Sequence, residues 1–191
     1  QDGRSHQFID IDGDGNVEYM RIKWDNDASS PVAFSRGNPQ NRFIPRDALV
    51  RVTNGFGAKT EIAYAPLTLK DVYRPDTNSR NTQSNWGRGS PVQDVMGPMY
   101  VAHRVSSTSA QNGDPNAQST VYYRYSGAKL QAGGRGFLGF REVVTIDPNQ
   151  TGGYVTTSTQ YGQSFPLLGQ PLQTAKRAAI NQVYVPSPCL N

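Results

Sequence analysis

With 19 glycines and 13 prolines spread through 191 residues, this chain has few uninterrupted stretches long enough for a helix. Proline lacks the N–H that a helical turn needs, and glycine costs about 1 kcal/mol there relative to alanine. The runs between the interruptions alternate apolar and polar residues, which is strand periodicity. Val17 to Trp24 sets Val, Tyr, Arg and Lys against Glu, Met, Ile and Trp. Ala48 to Thr53 and Lys59 to Ala65 flank Asn54-Gly55-Phe56-Gly57, a hairpin turn by composition. Met99 to Ser109 and Ser119 to Leu130 are separated by a polar loop, and Phe140 to Ile146 and Tyr154 to Tyr161 by Asp-Pro-Asn-Gln-Thr-Gly-Gly. The expected fold is therefore all-β, with antiparallel sheets, long hairpins and little helix. Only Leu172 to Ile180 (LQTAKRAAI) has helical composition. The alternation of Tyr122, Arg124 and Ser126 with Val121, Tyr123 and Tyr125 predicts sheets with one buried and one solvated face.

Two segments break the pattern. Residues 71–98 are polar and carry Pro and Gly, which reads as a long surface excursion. Residues 28–46 are a boundary, dividing the chain into an N-terminal unit, 1–45, and a larger region, 46–191. The chain begins inside what reads as structure, so a fragment of something longer is expected.

The N-terminal unit contains DIDGDGNVEY, with carboxylates from Asp10, Asp12, Asp14 and Glu18, a carbonyl from Asn16, and Gly15 at the sixth position for a tight turn. Hard oxygen donors at this spacing suit calcium, which takes six to eight oxygens, better than magnesium with its stricter octahedron. The alternative is a solvated Asp-Gly turn, in which the four carboxylates repel one another. The spacing is similar to the first half of an EF-hand loop, but strand-like sequence flanks it and the glutamate comes at position nine.

Catalytic patterns are thin. Gly134-Arg-Gly-Phe-Leu-Gly139 satisfies a dinucleotide-binding pattern, but the strand-like Phe140 to Ile146 follows where a helix is required. A bulge ahead of a strand, anchored by Phe137 and Phe140, is the better reading. His6 and His103 are far apart, and the chain holds no serine hydrolase, zincin or thiol-redox motif. The expectation is that it is not an enzyme. Asn149-Gln-Thr151 is a formal glycosylation acceptor. Cys189, the only cysteine, leaves the redox compartment open. The 19 Lys and Arg residues are dispersed, which argues against nucleic acid as a partner despite the net charge of +4. No apolar run approaches a membrane span, so membrane insertion by this segment is not expected.

Four stretches carry a resemblance: VTNGFGAKTEIAYAPLT (Val52 to Thr68), VMGPMYVAHRV (Val95 to Val105), YYRYSGAKLQAGGRGFLGFREV (Tyr122 to Val143) and YGQSFPLLGQPL (Tyr161 to Leu172). They resemble the SpvB/TcdB-like proteins, the B components of insecticidal Tc toxins and their Rhs relatives. Phe8, Asp10, Ile11, Asp12, Gly13, Asp14 and Gly15 also resemble the loop of an FG-GAP or VCBS propeller repeat, with Glu18 in place of the usual aspartate. The resemblance implies a secreted bacterial scaffold, in which a β-propeller repeat joins an Rhs-like sheet that encloses a C-terminal toxin. Its partners would be other parts of the same polypeptide or complex. A second possibility is a calcium-dependent surface adhesin or carbohydrate-binding module, with Trp86, Tyr100 and the tyrosines of YYRY as an aromatic platform.

Overall fold

The structure, a computed structural model, describes residues 4–11, 13, 15, 17–23, 33–35, 45, 48–76, 92–95, 97–109 and 117–186. Among these it has twelve strands and no helix. They are β1 (Arg4–Ile9), β2 (Glu18–Lys23), β3 (Ala33–Ser35), β4 (Arg51–Thr53), β5 (Lys59–Pro66), β6 (Tyr73–Arg74), β7 (Val92–Asp94), β8 (Tyr100–Thr108), β9 (Gln118–Gln131), β10 (Gly136–Gln150), β11 (Gly153–Tyr161) and β12 (Pro171–Ile180). The first three make a small sheet in the order β1-β2-β3. The other nine make one large sheet, in the order β12-β11-β10-β9-β8-β5-β4, with β6 and β7 both on β9. Every pairing is antiparallel except that of β6 with β9.

Turn chemistry sets the hairpins. Asn54 closes the β4–β5 turn by accepting backbone N–H bonds from Phe56 and Ala58 at 3.0 and 2.9 Å on its side-chain oxygen. Gly57, at φ +82°, supplies the left-handed residue. The glycine pattern 134–139 opens a strand, as expected: Gly136 pairs with Gln131, and the ladder slips between Phe137 and Gly139. This bulge leaves Leu138 as the extra residue, and Leu138 is buried. Phe140 packs against the core and meets Phe137 edge to face.

The core sits where the large sheet forks. β8 follows β5 along most of its length but pairs with β9 only from Arg104↔Tyr122 outward. Past that point β8 and β9 separate, and β6 and β7 fill the gap against the second half of β9. The chain leaving β5 turns tightly, with Val72 and Tyr73 both donating to Leu69 O, and brings Leu67, Val72 and Tyr73 under the sheet. These pack with Ala65, Val101 and Ala128. His103 marks the fork: it is skipped between the pairs Ala63↔Arg104 and Tyr64↔Ala102, a bulge position.

Two sequence expectations are corrected. Leu172 to Ile180 is the edge strand β12, in register with β11 from Gly153↔Ile180 to Tyr161↔Pro171. Its composition suits a helix, but an isolated helix this short is marginal in water, so the ladder offered by β11 prevails. The segment 71–98 is not a surface excursion at its ends: Val72, Tyr73 and Asp76 are buried at its start, and Val92–Asp94 pairs with β9 near its close. Trp86 and the middle of that segment lie outside the described residues, as does Cys189.

Candidate functional site

The acidic loop joins β1 to β2, so strand pairing fixes its two ends, with Ile9 opposite Glu18. Asp10 and Glu18 both turn back into the loop. Asp10 Oδ2 accepts the Gly15 N–H at 2.9 Å, and Glu18 Oε2 accepts the Ile11 N–H at 2.8 Å. Glu18 is buried at 5% exposure, unusual for a carboxylate. Gly13 and Gly15 have φ of +68° and +84°, the left-handed conformation that glycine adopts without steric cost. Asp12, Asp14 and Asn16 lie outside the described residues. Among the described residues, no group of three His, Cys, Asp or Glu side chains converges to hold a metal.

The loop does not stand apart from the large sheet. A Cβ added at Gly13 would lie 2.7 Å from Thr68 Cγ2, and one at Gly15 would lie 3.1 Å from Pro98 Cβ and 3.3 Å from Tyr100 Cε2. Both glycines are fixed by their φ, and both lie close against the large sheet. The loop thereby rests on the turn after β5 and on the entry to β8, where the two sheets meet.

A second constellation was not foreseen from sequence. Lys129 on β9 is 5% exposed and contacts Asp94 on β7, the residue directly opposite it in register. Its Nζ also lies 3.1 Å from Asp76 Oδ2. Arg141 on β10 reaches the other oxygen of Asp76, with Nε at 3.3 Å and Nη2 at 3.2 Å. Asp76 Oδ2, although close to Lys129, accepts no well-aligned hydrogen bond from the described residues. Gly127, at φ +63°, makes room: a Cβ there would fall 2.5 Å from Asp76 Oδ2. Tyr73 adds a neutral tie, its hydroxyl donating to Val95 O and accepting the Ala128 N–H, both at 3.1 Å. Burial raises the Tyr73 phenol to about 12. The one sequence signal was a lysine inside Gly127-Ala128-Lys129-Leu130, a run otherwise fit for a core.

The remaining candidates are buried or engaged within the sheets. His6 contacts the Tyr19 hydroxyl and stacks on its ring. His103 is 4% exposed, and burial, followed by the charge of Arg104, lowers its imidazole to about 4. Asn149 spends its amide on Thr120 O and Asp147 Oδ1, at 2.8 and 2.7 Å, inside a bulged ladder. The tyrosines of YYRY do not form one platform: Tyr125 packs on Phe140 and donates to Ala102 O, whereas Tyr122 pairs with Tyr184. No helix among the described residues is long and apolar enough to cross a membrane.

A family model described as the insecticide toxin TcdB middle/N-terminal region matches residues 2–168. No curated protein and no solved structure matches the chain.

Proposed function

Because the chain belongs to the family of insecticide toxin TcdB middle/N-terminal regions, we propose that it is a non-enzymatic scaffold of a secreted bacterial Tc/Rhs-type toxin complex. In this reading residues 1–45 are the calcium-loop repeat at the end of a β-propeller. Residues 46–191 begin the sheet that encloses a C-terminal toxin. The partners are other parts of the same polypeptide or complex.

The observation that carries the reading is the seating of the acidic loop on Thr68, Pro98 and Tyr100, since it puts the loop at the join between two sheets. Asp10 and Glu18 approach the loop from its two ends, where they accept the Gly15 and Ile11 N–H groups. Asp10, Asp12, Asp14, Asn16 and Glu18 supply the hard oxygens that calcium selects, and the cation would neutralise their mutual repulsion. The ion's work there is structural, holding the loop rigid against the large sheet.

The test is made in the complete toxin-complex protein. Replacing Gly15 with valine forces the loop off Pro98 and Tyr100. Loss of protease protection of the enclosed polypeptide, with the activity of that polypeptide unchanged once released, supports a scaffold. Full protection in this variant, or turnover of a substrate by the 191-residue chain itself, contradicts it.

A further inference from the structure

Lys129, Asp94 and Asp76 combine features that the scaffold reading does not use. A primary amine lies against one carboxylate, Asp94, and 3.1 Å from a second, Asp76. The Lys129 and Asp76 side chains are 6% and 4% exposed and that of Asp94 is 19% exposed. Ala128, next to Lys129 on β9, belongs to the apolar core together with Tyr73, and Val95, next to Asp94, packs against that core. Among the described residues nothing gives Asp76 Oδ2, the oxygen facing the lysine, a well-aligned hydrogen bond, and Gly127 leaves the space it occupies. Water is thus largely excluded, and the amine and carboxyl are held in contact by strand register instead of by diffusion.

We infer that Lys129 and Asp94 form an intramolecular isopeptide bond, with Asp76 as the proton carrier. The ammonium first passes a proton to the Asp94 carboxylate, giving a neutral amine and a neutral acid. Lys129 Nζ attacks Asp94 Cγ and the C–N bond forms. The excess proton on nitrogen moves to Asp76 Oδ2 and from there to the Asp94 hydroxyl, whose C–O bond breaks as water leaves. The products are one amide and one water, and nothing is oxidised or reduced. The charges of Lys129 and Asp94 disappear together, while Asp76 keeps its charge opposite Arg141.

Two physical terms favour the step. Holding the reacting groups in contact is worth an effective concentration on the order of 10⁵ M or more. Condensation also removes a buried ion pair whose desolvation is costly. The bond would tie β7 to β9 covalently, closing the chain between residues 94 and 129 and fixing the return of segment 71–98.

Intact-mass measurement of the folded, purified chain, followed by peptide mapping, tests the inference. The expected result is a mass one water below that of the sequence and a branched peptide joining Lys129 to Asp94. Asp76→Asn, checked for retained β-sheet by circular dichroism, is expected to restore the full mass. Lys129→Arg, which keeps the charge but cannot condense in this way, should do the same. Recovery of Lys129 and Asp94 in linear peptides from the folded protein overturns the inference. So does a water loss that maps elsewhere, for instance to an aspartyl succinimide.

Discussion

Gly127 shows how a single position can be fixed by backbone and packing together. Its φ of +63° penalises any side chain, and a Cβ would strike Asp76 Oδ2 at 2.5 Å and Arg141 Cβ at 3.0 Å. Gly152 has a comparable φ of +79° but open space around it. Gly152→Ala should therefore cost about 1 kcal/mol from the backbone alone, and Gly127→Ala about 2–4 kcal/mol, measured by urea denaturation. His103 supplies a second prediction. Its folded value of about 4 lies below the ordinary 6.5, so the unfolded chain binds more protons between those values. Stability is then full above pH 6.5 and falls as pH drops toward 4, by about 3 kcal/mol for a group this buried. His103→Leu should flatten that part of the stability–pH profile, and an unchanged slope would place the acid sensitivity elsewhere. Sequence placed His103 in the strand-like run Met99 to Ser109. It did not disclose the bulge, because register depends on which partner strand lies alongside.

At the scale of elements, the hairpins were legible because their signals are local. Asn54-Gly55-Phe56-Gly57 builds its turn from its own side chain, and the glycines after Gln131 bring β10 back against β9. What was not legible depended on distant pairing. β12 has helix-forming composition, yet it runs beside β11 through nine register pairs. Asp76 and Asp94 read as solvated charges in a polar stretch, since their partners Lys129 and Arg141 are 35 to 65 residues away. Tyr73 on β6 ties Val95, just past β7, to Ala128 on β9 through one hydroxyl. Tyr73→Phe removes both of its bonds and leaves the Ala128 N–H and Val95 O without that partner. The expected loss is about 1–3 kcal/mol, read from chemical denaturation, together with faster amide exchange at Ala128. Unchanged exchange at Ala128 would show that β6 does not hold β9 in this way.

For the whole molecule, two sheets meet through a loop whose glycines lie against Thr68, Pro98 and Tyr100. The all-β class, the antiparallel meander and the toxin-complex family were readable from turn residues, alternation and four quoted stretches, and the family match covers residues 2–168. The seating of the loop on Thr68, Pro98 and Tyr100 was not, because nothing in residues 10–18 names its neighbour. The claim that this loop is a calcium pin for a scaffold is tested most directly by thermal melting of the chain in calcium and in chelator. At calcium about a hundredfold above its dissociation constant, the account predicts a midpoint about 5–10 °C higher than in chelator. Magnesium should give little of that shift, and Asp12→Ala should abolish it. Superimposable melting curves with calcium and with chelator would contradict the account.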